Sequence, residues 1–414
     1  MPFHQHTFSN GLEVIGETIP AARSVAFGFF VKTGSRDERP EEAGVSHFLE
    51  HMMFKGTPRR TAMDVNLDFD RIGAQYNAYT SEEHTVYYAS VLPEYLPHVI
   101  DILGDILRPS LRQEDFDTEK QVILEEIKMY EDSPASTAWD RARRIYFADH
   151  PLGNTILGTT ESIRALTREQ MQHYYDRRYG AGNIVAVAAG QFEWPRLLDL
   201  LAEVGRTWPN HSASRRHLGE ARGAGGIHIL TKGDVSQENV LLLGAGAPAE
   251  SPLRYAAATM ALAIGDDTGS RLYWELVHPG RVESASCGSE QDQGCGLMVT
   301  SFTCDPADAA ENLAITQRIL EQIQREGLTA QELEQAKNKI TSRLVRSSER
   351  PMGRMRSIAG SWLYLRELTD LDTELSRFDA VDLSAIREYL DRYPINQTTV
   401  IGYGPLETLT SVPA

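Results

Sequence analysis

Residues 207–226 read TWPNHSASRRHLGEARGAGG, a stretch rich in Gly, Ser, Ala, Arg and His with no apolar period, which is the composition of a linker. Its two flanks open alike. Before it come LEVIGETI (12–19), VAFGFFVKTGS (25–35) and a helical stretch through Met53. After it come IHILTK (227–232), NVLLLGAGAP (239–248), a helical stretch over 256–264 and a further helix near 270–277. Strands and amphipathic helices alternate on both sides. The expected fold is therefore α+β (mixed α/β): two related domains, each a mixed β-sheet packed with α-helices, over residues 1–208 and 226–414, joined by a linker at 209–225.

The length of 414 residues agrees, since one ordinary core does not extend that far. No run approaches the ~20 consecutive apolar residues that cross a bilayer. The N-terminus reads as a strand, a Ser9-Asn10-Gly11 turn and a second strand, not as a leader, so a cytoplasmic location is expected. A net charge of −17 argues against nucleic acid or an anionic membrane as partner. It suits cationic substrates, although an acidic surface commonly serves solubility alone. Cys287, Cys295 and Cys304 match no metal or redox spacing and read as buried free thiols.

The segment 45–54 carries the chemistry. At about 100° per residue, Val45, Phe48, Leu49, Met52 and Met53 form one apolar stripe, and His47, Glu50, His51 and Phe54 form another on the opposite side. Histidines at i and i+4 project together and can converge on one ion, with Glu50 beside them within reach of a water. This HxxEH order is the reverse of HExxH, with the same physical logic. The competing reading is a solvated helix face that happens to hold two histidines. A catalytic zinc needs a third protein ligand and an open fourth position. In the helical stretch 116–130, Phe116, Val122, Ile123, Ile127 and Tyr130 share a face on which Glu119 and Glu126 also fall. Carboxylates on an apolar face need a partner or a metal, which favours Glu126 as third ligand and Glu119 as its support. Glu125 points to solvent on this reading. An internal salt bridge is the alternative for Glu126.

HFLEHMMFKGT (47–57), EKQVILEEIKMYED (119–132), GAQYNAYTSEEHTVYYA (73–89) and HPLGNTILGTTESIRALTREQMQHYYDRRY (150–179) together closely resemble the pitrilysin/insulinase family of zinc metallopeptidases. The likeness is strongest to the short branch that includes mitochondrial processing peptidase. The resemblance implies one Zn2+ per chain on His47, His51 and Glu126, with Glu50 as general base and Glu119 as the supporting carboxylate. It implies hydrolysis of peptides or unfolded protein segments. It also implies an edge strand at Asn77-Ala78-Tyr79-Thr80, onto which an extended substrate adds by main-chain hydrogen bonds. Asn77 reads equally as an ordinary turn residue, and His84 reads as a half-exposed strand histidine rather than an extra ligand.

The second half resembles the family's non-catalytic domain through GDDTGSRLYWELV (265–277) and residues 334–355. An Arg and a Tyr that serve substrate in active members correspond here to Val277 and Ser284, leaving His278, Arg281 or another chain to replace them. The family's full clamp holds four such domains, so this chain is half of a clamp and a dimer is expected, either a homodimer or a heterodimer with a related subunit. The alternative function class is a non-catalytic or partner-dependent subunit. The family's inactive core subunits have lost part of the zinc motif, whereas this chain has all four residues.

Overall fold

The computed structural model describes residues 2–216 and 218–410. Its first sheet is built from β1 (Phe3–Thr7), β2 (Glu13–Thr18), β3 (Val25–Val31), β4 (Gln75–Thr80), β5 (Thr85–Val91) and β6 (Ile184–Gly190). The strand order is β1-β2-β6-β3-β5-β4, which leaves β4 at an edge. The runs VAFGFFV in β3 and IVAVAAG in β6 are apolar throughout and buried throughout. Strands of that kind need cover on both faces. Alternate residues Val25, Phe27, Phe29 and Val31 pack with Phe48, Leu49, Val99 and Leu103 of the helices Val45–Met53 and Leu96–Ile106. On the opposite face Ala26, Phe30, Val185 and Val187 pack with Met355, Ile358 and Ala359 of the helix Pro351–Leu365. Full burial of Met355 and Ile358 contributes about 1.5–3 kcal/mol each. The Arg354 guanidinium meets Glu17 at 2.7 Å in the same contact, so neither buried charge is left unpaired.

The second sheet holds β7 (Gly226–Thr231), β8 (Glu238–Gly246), β9 (Ser284–Asp292), β10 (Cys295–Cys304) and β11 (Thr399–Gly404), in the order β7-β11-β8-β10-β9. Here Val240 and Leu242 face Met260, Leu313 and Leu320, while Leu241, Leu243 and Ile401 face Ala138, Ala142 and Phe147 of the helix Pro134–Phe147. Without β1, the first sheet runs β2-β6-β3-β5-β4, the same order shifted by five strands. Each sheet has one parallel pair in the matching place, β2 with β6 and β7 with β11, and antiparallel pairs elsewhere. The two sheets are thus topological repeats, and the mixed α/β class expected from the sequence is the one observed.

Two compact units contain these sheets. The first comprises the residues up to Met129, then Asn154–Arg216 and Arg346–Asp370; the second comprises Tyr130–Gly153, His217–Val345 and the residues from Leu371 onward. They differ from a single division at 209–225, because each unit includes a helix from the other half of the chain. The cause lies in the apolar strands, whose second faces those helices cover. Residues 209–225 form no helix or strand among those described, yet they are not loose. Arg215 bonds Asp37 at 2.8 Å and the Glu83 carbonyl at 2.5 Å. The helix expected near 270–277 contains a π-turn at Tyr273–Val277, with the His278 N–H donating to the Tyr273 carbonyl at 2.7 Å. No helix among the described residues is long and apolar enough to cross a membrane. Cys295 and Cys304 are buried, and Cys287 is half-buried.

Candidate metal centre

The helix Val45–Met53 starts where Gly44 adopts φ 89°, a left-handed conformation in which a Cβ would come within 2.6 Å of the Leu157 carbonyl oxygen. Its first N–H groups are met by the Glu38 carboxylate, which accepts from Gly44 and Ser46 at 2.8 Å each. Val45, Phe48, Leu49, Met52 and Met53 are buried as their spacing predicts, which points His47, Glu50 and His51 the other way. The helix Gln113–Glu131 packs alongside, the Phe48 and Phe116 rings stacking 4.7 Å apart, and brings up Glu119 and Glu126.

Each of His47, His51 and Glu126 offers a ligand atom, all within 4.8 Å of one another. His47 Nε2 lies 3.7 Å from Glu126 Oε1, and His51 Nε2 lies 3.6 Å from Glu126 Oε2. These separations are too long for hydrogen bonds. They approach the roughly 3.4 Å between two ligands that each sit ~2.1 Å from a tetrahedral ion. His51 Nδ1 donates to Glu119 Oε1 at 2.8 Å, whose other oxygen meets Lys55 Nζ at 2.6 Å. In the neutral ring that bond holds the proton on Nδ1, so Nε2 faces Glu126 as an unprotonated nitrogen.

The electrostatics favour a cation here. Burial, reinforced by the His51 charge, pushes the His47 imidazole down to about 3, so it is neutral at ordinary pH. Burial raises the Glu126 carboxyl, with Glu119 adding to the effect and His51 opposing it. The Glu50 carboxyl is likewise raised by burial, against the pull of its Thr80 hydrogen bond. His51 is raised: burial lowers it, but its bond to Glu119 and the charges of Glu126, Glu119 and Glu50 outweigh that. Two imidazoles and a carboxylate facing one point, with further carboxylates around them, fit a zinc ion with one position open.

Glu50 stands outside the trio, 8 % exposed, its Oε2 accepting from Thr80 Oγ1 at 2.6 Å. Beside it a cleft of about 350 Å³ is lined by Glu50, His51, Phe54, Ala62, Tyr76, Ala78 and Glu119 among others. Asn77, Ala78 and Tyr79 lie on β4, which among the described residues pairs only with β5 and so has an open edge. The Asn77 side chain accepts from the Ala78 N–H at 2.8 Å, and Tyr79 is 40 % exposed. Glu125 faces solvent and pairs with Lys128 at 2.5 Å.

Several expectations need correction. Val122 and Tyr130 do not share the buried face; they are exposed, because the helix Gln113–Glu131 is covered along a narrower stripe that includes Phe116, Ile123 and Ile127. His84 is neither half-exposed nor in a strand: it is buried in the turn between β4 and β5, against Tyr364, and outside the ligand trio. In the second unit, Val277 is half-buried against that unit's core and Ser284 is exposed at the start of β9. Arg281 is engaged with Glu311 at 2.6 Å, and His278 packs on the Trp274 ring at 5.1 Å. Thr80 is expected only as part of the substrate edge, and its bond to Glu50 is not expected from the sequence; neither are Lys55 and Glu38 as parts of the site. Lys55 carried a signal, being four residues after His51 on the same helical side. Glu38 carried none.

Comparison with known proteins accords with this geometry. Residues 13–160 match the family described as insulinase (peptidase family M16), and residues 165–340 match the peptidase M16 inactive domain. An uncharacterized zinc protease of Streptomyces coelicolor is 32% identical over 409 residues, covering 96% of this chain and 88% of that protein. The uncharacterized zinc protease YmxG of Bacillus subtilis is 32% identical over 388 residues, covering 92% and 93%. The crystal structure of a protease from Helicobacter pylori shares the fold with a TM-score of 0.91 at 21% identity, over 98% of this chain and 99% of that one. The chain belongs to the insulinase family of peptidases, family M16.

Proposed function

We propose that the protein is a zinc metalloendopeptidase that hydrolyses peptides or unfolded protein segments, with one zinc held by His47, His51 and Glu126. The carrying observation is that a buried acid, Glu50, stands beside three converging ligand atoms without being one of them. A purely structural site closes its fourth position and has no use for such an acid. When bound, zinc supplies a Lewis acid that polarises the scissile carbonyl and makes a water more acidic. Glu50 takes the proton from the attacking water and passes it to the leaving amine. Glu119 holds His51 through Nδ1 and so keeps the opposite ring nitrogen free for the metal. An extended substrate adds to the open edge of β4 at Asn77, Ala78 and Tyr79, main chain to main chain.

In this reading residues 1–208 carry the catalytic apparatus, residues 226–414 the related non-catalytic part, and the working form is a dimer, either with itself or with a related subunit. Cysteines that are buried or half-buried suit a reducing, cytoplasmic setting. A partner-dependent version of the activity is favoured by Val277, which has no donor where an Arg is usual, and by Ser284, whose hydroxyl has a shorter reach than the Tyr usual there. Glu50→Gln is the test. It should retain about one zinc per chain while hydrolysis falls by roughly 10²–10⁴-fold. Activity within about tenfold of wild type would remove Glu50 from the role of base.

A further inference from the structure

A carboxylate base uses one oxygen at a time, so something must decide which oxygen of Glu50 is available. Oε2 accepts from Thr80 Oγ1 at 2.6 Å, the length of an O–H···O⁻ bond. Thr80 is the last residue of β4 and lies opposite Thr85 of β5. The turn that follows is tied down at every residue. Ser81 Oγ accepts from the N–H groups of Glu83 and His84 at 3.3 and 3.0 Å. The Ser81 and Glu82 carbonyls accept from the N–H groups of Ser35 and Arg36 at 3.2 and 2.9 Å. The Glu83 carboxylate, in a residue only 1 % exposed, takes Arg36 at 2.5 Å, Arg215 at 3.3 Å and the Tyr364 hydroxyl at 2.6 Å. A hydroxyl at the end of a strand held in this way cannot follow a wandering carboxylate. The carboxylate follows the hydroxyl instead.

We propose that Thr80 is a positioning residue for Glu50, its O–H occupying Oε2 and leaving Oε1 to accept the proton from the attacking water. The inference rests on the reading of Glu50 as general base. It places base orientation and the substrate edge on one element, β4, so a shift of that strand disturbs both together.

The test compares Thr80→Val, which keeps the shape and loses the hydroxyl, with Thr80→Ser, which keeps the hydroxyl. Thr80→Val should lower kcat by roughly 10–100-fold at unchanged zinc content, with KM within about threefold, as for loss of one charge-assisted hydrogen bond. Thr80→Ser should return to within about threefold of wild type. A second readout needs neither zinc nor substrate. In zinc-free protein carrying carbon-13 at glutamate Cδ, the Glu50 signal, recognised by its loss in Glu50→Gln, should move in Thr80→Val and return in Thr80→Ser. An unmoved signal, an unchanged kcat in Thr80→Val, or a Thr80→Ser as slow as Thr80→Val overturns the proposal. If the signals behave as expected while wild-type protein cleaves no peptide, the peptidase reading falls and the positioning of Glu50 by Thr80 stands.

Discussion

His51 Nδ1 lies 2.8 Å from Glu119 Oε1, and the other oxygen of that carboxylate lies 2.6 Å from Lys55 Nζ. Burial alone would raise the Glu119 carboxyl, but its bonds to His51 and Lys55 hold it below the ordinary value. It is therefore an anion under the conditions in which His51 needs an acceptor. Glu119→Ala should weaken zinc binding by about 10–100-fold without abolishing it, and Lys55→Met should act in the same direction more weakly. Competition against a chelator of known affinity measures both. Wild-type affinity in Glu119→Ala would mean that the ring needs no such partner.

Glu125 and Glu126 are neighbours with opposite surroundings. The Glu126 side chain is 21 % exposed and faces both histidines, whereas that of Glu125 is 72 % exposed and pairs with Lys128 on the surface. Glu126→Gln should lower zinc affinity far more than Glu125→Gln, which should change stability by no more than about 0.5 kcal/mol. Equal effects on affinity would show that the carboxylate facing the histidines is not the ligand.

Ala148 ends the helix Pro134–Phe147 with φ 48° and ψ −114°, a backbone conformation that an L-residue with a Cβ adopts at a cost. Its N–H closes the last turn on the Arg144 carbonyl at 3.0 Å, so the geometry is imposed by the helix end. Ala148→Gly relieves the strain of the positive φ but loosens the unfolded chain, for a net gain of about 1 kcal/mol. A rise in the thermal midpoint of the protein is the expected result, and a fall would show that the conformation is not strained.

What could be read in advance follows from how local each cause is. The stripe of Val45, Phe48, Leu49, Met52 and Met53 is a property of nine consecutive residues, and its burial could be stated from the helical period alone. The alternation that promised two mixed sheets is likewise local. The cover supplied by Pro351–Leu365 to β3 and β6 is not, because amphipathicity shows that a helix has a partner but not which one. The exposure of Val122 and Tyr130 has a related cause: the period gives a direction, and the width of the covered stripe depends on neighbours far away in the chain. Thr80 stood in a stretch already marked as the substrate edge. Its bond to Glu50 joins residues thirty apart, and no periodicity links them.

His84 gives the final prediction. It is 9 % exposed and packs edge-on against Tyr364, with ring centroids 5.5 Å apart. Burial, with the Arg215 charge adding to it and Glu83 and Asp37 opposing, pushes its imidazole down to about 4. In the unfolded chain it titrates near 6.5. Between those two values the unfolded chain binds a proton that the folded protein refuses, so stability rises with pH across the window. Equivalently, the contribution is fully present above about 6.5 and is lost as pH falls toward 4. The loss from this residue is at most roughly 3 kcal/mol over the window and about 2 kcal/mol between pH 7 and 5. His84→Phe keeps a ring against Tyr364 and removes the titration. With a chelator present in both samples, protonation of the metal ligands affects the two proteins alike and cancels in the comparison. Urea unfolding at pH 7 and pH 5 should then show wild type losing more stability than His84→Phe. An equal loss in both proteins would show that His84 is protonated in the fold as readily as in water.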